Sequence, residues 1–115
     1  MAAFKVKLVI DQGSTFRKHL VWKAGTVPVN LTGCTARMQI RSEVGSPDIL
    51  ASLTTENGGI TLGGTAGTID LYLSPTATTL FTWEDGVYDM EFVLGNGDVV
   101  RKIVGTVKVS PEVTR

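Results

Sequence analysis

A chain of 115 residues with a formal net charge of zero and a hydrophobic fraction of 43% has the size of one ordinary domain, large enough to bury a core and too short for two. The single cysteine, Cys34, and the single histidine, His19, exclude an internal disulfide and a zinc site, and 19% charged residues at that hydrophobicity exclude a disordered chain. The first residues pass directly into an alternating pattern, with no apolar leader core and no bilayer-length stretch, so a soluble product made in a cytoplasm is expected.

Phe4, Val6, Leu8 and Ile10 alternate with Lys5, Lys7 and Val9, the period of a half-buried strand. Asp11 to Ser14 breaks it, and a second strand places Phe16, Leu20 and Trp22 on one face. Lys18 falls on that same apolar face, which predicts an edge or bulged strand. Ala24-Gly25 reads as a hairpin turn, and Pro28 confines Val27 to Leu31 to an edge. Ala36, Met38 and Ile40 alternate with Arg37, Gln39 and Arg41. Short strands are expected over 49–54, 60–62 and 69–73, separated by Gly-rich turns.

Ser74-Pro75 is a helix start, a capping hydroxyl followed by proline at the first helical position. The threonines after it predict one or two turns ending near Trp83. Tyr88, Met90, Phe92 and Leu94 alternate with Asp89, Glu91 and Val93. Asn96-Gly97 predicts a type I′ hairpin turn into a last strand over 99–109 that places Val107 and Val109 on one face.

Short strands punctuated by turns, with one short helix before the penultimate strand, predict an all-β antiparallel sandwich of about seven to eight strands. Tyr88 and Met90 narrow the type. Immunoglobulin-like sandwiches carry a tyrosine at the start of the sixth strand, two residues before a core position, and its hydroxyl bonds upstream backbone at the corner between sheets. A single domain over 1–110 and a short C-terminal tail over 111–115 follow.

No catalytic constellation is expected, because His19 is the only imidazole that could serve a nucleophile. Cys34 reads as a small packing residue. Glu84, Asp85 and Asp89 make too thin a carboxylate set for a calcium loop, so no metal and no cofactor are expected. The glycine turns lack the lysine and helix of a phosphate loop. A neutral chain without a stacking motif is not expected to bind nucleic acid.

Charge is segregated along the chain. From Met1 to Arg41 the cations Lys5, Lys7, Arg17, Lys18, Lys23, Arg37 and Arg41 face Asp11 alone. From Ser42 to Asp98 there are only carboxylates, including Glu84, Asp85, Asp89 and Glu91. Cations return in Arg101, Lys102, Lys108 and Arg115. With the first and last strands adjacent, this pattern predicts a basic flank opposite an acidic one, suited to head-to-tail packing of copies. Lys5, Lys7, Arg17, Lys18, Arg37, Arg41, Glu84, Asp85, Asp89 and Glu91 are the candidate interface residues. Glu112, Val113, Thr114 and Arg115 add a candidate docking arm.

The runs from Gly13-Ser14-Thr15-Phe16-Arg17 to Trp22 and from Val27-Pro28-Val29-Asn30 to Arg41, with Tyr88 to Phe92, Gly97-Asp98-Val99 and Gly105 to Val109, resemble small structural proteins from the tail and tail-fibre genes of tailed bacteriophages. The resemblance implies a β-sandwich adaptor of the virion, at the tail, baseplate or tail-fibre attachment. Its partners would be other virion proteins and copies of itself, with no membrane, nucleic acid or small-molecule substrate. Its motifs are structural and carry no catalytic residues. The competing class is a carbohydrate- or cell-surface-binding module, which requires Trp22, Tyr72 and Trp83 to form an exposed platform.

Overall fold

The computed structural model describes residues 4–114. The strands are β1 (Phe4–Lys5), β2 (Leu8–Asp11), β3 (Phe16–Val21), β4 (Lys23–Ala24), β5 (Val27–Pro28), β6 (Thr35–Arg41), β7 (Ala51–Thr54), β8 (Ile60–Leu62), β9 (Thr68–Leu73), β10 (Asp85–Val93) and β11 (Val99–Ser110). One short helix, α1 (Pro75–Thr79), and a 3-10 turn (Gly64–Ala66) complete the described chain. The protein is an all-β sandwich with its helix before the penultimate strand, as the alternation predicts. β4 and β5 form a small separate hairpin at Gly25, and β1 and β2 are two halves of one interrupted strand.

The larger sheet runs β1-β11-β10-β6-β7, with β2 also on β11; the smaller runs β3-β9-β8. β10 is antiparallel to both its neighbours, whereas β1 and β2 lie parallel to β11. The inward residues of the two sheets share one core. Leu8, Ile10, Met38, Ile40, Met90, Phe92, Val107 and Val109 meet Phe16, Trp22, Ile60, Ile69 and Leu71. Trp22 packs on Phe92 with ring centroids 5.2 Å apart, in the tilted geometry that aromatic pairs prefer. β3 is an edge strand, and Lys18 on it is exposed. An inward-pointing charge at an edge keeps foreign strands from pairing there.

Three local features differ from the sequence reading. The Ser74 hydroxyl accepts from the Ala77 amide at 3.1 Å, but α1 stops at Thr79, well short of Trp83. The Thr79 hydroxyl donates back to the Pro75 carbonyl at 2.7 Å, a competition that weakens helices of β-branched residues. At the last hairpin, Gly97 has a φ of 93°, and no described non-glycine residue has a positive φ. Asn96 therefore cannot occupy a type I′ turn. The Gly97 amide donates to the Leu94 carbonyl at 2.9 Å and the Leu94 amide to that of Asp98 at 2.8 Å, which gives a three-residue loop closed by a positive-φ glycine.

The third difference lies in β11. Met90 pairs with Ile103 but Glu91 pairs with Arg101, so Lys102 is the extra residue of a bulge. Lys102 and Ile103 both face inward, and Lys102 is only 2% exposed. Its ammonium lies 4.5 Å from the Phe4 ring centroid and 5.3 Å from that of Trp22, within cation–π range. Lys102 thus belongs to the interior and not to the closing surface charge.

Candidate functional site

The outward residues of β6, β10 and β11, with Lys5 and Lys7 on the neighbouring strand, line an open trough of about 770 Å³ on the larger sheet. Val87 and Val104 contribute its apolar part, and Lys5, Lys7, Arg41 and Arg101 surround them with Asp89 and Glu43. The β6–β7 loop overhangs one side through Val44 and Gly45. Arg41 fixes that loop, because its guanidinium donates to the Ser46 carbonyl at 2.7 Å and to the Gln39 side chain at 2.8 Å.

The wall of the trough is held by a buried tyrosine. β1 and β2 keep the same register against β11, Phe4 opposite Ile103 and Leu8 opposite Val107, with the ladder interrupted at Val6 and Lys7. There the Val6 carbonyl accepts a 2.6 Å hydrogen bond from the Tyr88 hydroxyl. Gly105 makes this possible: a β-carbon there would collide with the Val6 carbonyl oxygen and press on the Tyr88 ring. Burial pushes the Tyr88 phenol up from 10.0 to about 12, since removal from water disfavours the phenolate. Tyr88 and Met90 both face the core. The hydroxyl bonds backbone upstream of it, at Val6, and so ties the first strand to the sheet.

The expected basic and acidic flanks do not form. β10, which carries Asp85, Asp89 and Glu91, lies between β6 with Arg37 and Arg41 and β11 with Arg101 and Lys108. Charge segregated along the chain becomes stripes across the sheet, with Arg37 to Glu91 at 3.1 Å and Lys108 to Asp85 at 3.6 Å. Both pairs are exposed, so they fix register more than they stabilise. Arg17 and Lys18 lie apart, on β3 of the other sheet, where Arg17 covers Tyr72 at 4.7 Å and His19 meets Asp70 at 2.6 Å. Glu84 is exposed just before β10.

The tail is shorter than expected. The Glu112 amide donates to the Gln12 side chain at 2.8 Å, and the Glu112 carboxylate packs over Gly13. Gln12 also donates to the Phe81 carbonyl at 2.9 Å, joining the β2–β3 turn, the α1–β10 connection and the C-terminal segment. Val113 and Thr114 are exposed, and Arg115 lies outside the described residues.

The aromatic residues do not build a platform. Trp22 is buried between the sheets, Trp83 packs on Phe81 with centroids 5.1 Å apart, and Tyr72 lies under Arg17. Among the described residues no three His, Cys, Asp or Glu side chains gather, and no helix is long and apolar enough to cross a membrane. Lys5, Lys7, Arg41 and Asp89 were legible as candidates because they alternate with core residues. Arg101 and Val104 were not, since the bulge at Lys102 shifts the inward-outward phase of β11, and Val87 on β10 carries no charge to mark it. No family model matches the sequence, and no curated protein matches it.

Proposed function

We propose that this chain is a structural component of a tailed-phage virion, a tail, baseplate or tail-fibre attachment adaptor that works through protein–protein contacts. The observation that carries the adaptor role is the trough on the larger sheet, where four cations surround an apolar floor with two carboxylates. Such a surface suits an acidic segment of a partner, whose carboxylates set register while Val87 and Val104 supply contact area. The virion assignment is supported by the sequence resemblance of the runs from Gly13 and Val27 and of the closing strands. The strand order supports the immunoglobulin-like reading, since β11-β10-β6-β7 over β3-β9-β8 corresponds to the G-F-C-C′ and B-E-D sheets of variable-type sandwiches.

The test is assembly of particles with Lys7→Glu and Arg101→Glu together. Both side chains are exposed, so the fold should persist by circular dichroism. Incorporation should fall about tenfold or more, the effect of roughly 1.4 kcal/mol at the contact. Normal incorporation would remove the trough from the contact, and absence of the unsubstituted chain from particles would remove the virion role.

A further inference from the structure

Two surfaces that border the trough, the β6–β7 loop and a slot beside β1, carry opposite charges. The first is a knob. The β6–β7 loop turns at Glu43 to Ser46, with the Ser46 amide donating to the Glu43 carbonyl at 3.1 Å and Gly45 at a φ of 90°. Arg41 holds this turn from below, so the tip is presented and not frayed. Val44 at the tip is 92% exposed and Ile49 beyond it 49% exposed. The only charges from Ser42 to Leu50 are Glu43 and Asp48.

The second is a slot of about 270 Å³ where the sandwich is open between β1 and β3. Phe4, Val6, Leu20, Val21, Trp22 and Ile103 line it, and its mouth is apolar, with Phe4 45% and Val21 42% exposed. Lys5 also lines it, and Lys18 and Lys23 flank Leu20 to Trp22 in the chain. From Phe16 to Lys23 the chain has cations and no carboxylate. Pairing of two β3 edges would set Arg17 and Lys18 of one copy against those of another, which like charge opposes.

We infer that copies of this chain join head to tail, the Val44 tip of one copy entering the β1–β3 slot of the next while Glu43 and Asp48 approach Lys5 in its lining and the cationic stretch from Arg17 to Lys23. The slot has room for a valine side chain, and each copy offers one knob and one slot. The contact is therefore heterologous and builds a ring if the rotation closes or a filament if it does not. This deepens the assembly reading by naming a second copy as a partner. Its test needs no virion, so it can fail while incorporation into particles stands.

The experiment is sedimentation of the purified full chain with Val44→Asp, which removes the knob, and Val21→Glu, which blocks the slot. Both positions are exposed, and matching thermal melts confirm folding. The unsubstituted chain should sediment above the monomer mass as concentration rises, and each variant alone should remain monomeric. An equimolar mixture should give dimers and nothing larger, because Val44→Asp retains a slot and Val21→Glu retains a knob. Lys23→Glu, at an exposed side chain next to Trp22 in the chain, reverses a charge of the cationic stretch and should weaken assembly several-fold. An unsubstituted chain that stays monomeric at its solubility limit would overturn the inference, as would a single variant that still assembles or a mixture that stays monomeric.

Discussion

The Tyr88 hydroxyl donates to the Val6 carbonyl across 82 positions of sequence at 2.6 Å, and it does so where the first strand interrupts its ladder with β11. A backbone carbonyl turned away from its strand partner needs another donor, and a phenol over a glycine supplies it. Tyr88→Phe keeps the ring and removes the donor, leaving the Val6 carbonyl short of a partner. The expected cost is about 1–3 kcal/mol, read as a lower urea midpoint with unchanged slope. Amide exchange should accelerate at Val6 before it does in β6. An unchanged midpoint would remove the tie between β1 and the sheet.

Gly105 should be intolerant for a steric reason. Gly105→Ala drives a methyl group into the Val6 carbonyl and toward the Tyr88 ring, so either β1 detaches from β11 or the bond to Tyr88 breaks. A loss of roughly 1–3 kcal/mol is expected, typical of overpacking. Gly95→Ala meets nothing within 4 Å and should change stability by less than about 0.5 kcal/mol. Thermal melts of the two variants check the contrast, and equal effects would contradict it.

Alkaline pH should release the same tie. Because folding raises the Tyr88 phenol from 10.0 to about 12, the neutral form favours the folded state. That contribution is complete below pH 10 and is lost as pH rises through 12. In a Tyr72→Phe background, the ultraviolet phenolate signal should appear near pH 12 together with loss of tertiary circular dichroism. Ionisation near pH 10 with the fold intact would contradict the burial of Tyr88.

At the other end of the sandwich, Thr78 is fully buried. Its hydroxyl donates to the Ser14 carbonyl at 2.8 Å and accepts from the Gly13 amide at 3.1 Å. Thr78→Val preserves shape and strands both backbone groups, so a loss of about 1–3 kcal/mol is expected. Val113→Ser and Thr114→Ala should leave stability unchanged, since both side chains are exposed and, among the described residues, Glu112 is the last seen to bond the β2–β3 turn. Denaturant titration checks the contrast, and a loss at Val113 or Thr114 equal to that at Thr78 would contradict it.

Alternation made most of the fold readable. Ala36, Met38 and Ile40, and likewise Tyr88, Met90 and Phe92, keep strict period two and became the inner faces of β6 and β10. Lys18 announced its edge strand. What stayed hidden depends on long-range pairing. The Lys102 bulge exists only because β10 and β11 slip against each other between Met90 and Glu91. The charge stripes were misread for the same reason. Which strand separates two others is set by sheet order, and composition along the chain carries no record of it. Gln12 gave no signal, since its partners at Thr79, Phe81 and Glu112 are distant in sequence.

The proposed role is that of an assembled structural part of a phage particle. Quantitative mass spectrometry of gradient-purified particles, from lysates of cells that carry the gene, tests it most directly. The account predicts the chain in the particle fraction, at a fixed ratio to the other structural proteins that survives a salt wash. A chain abundant in the lysate but missing from the particles would contradict it.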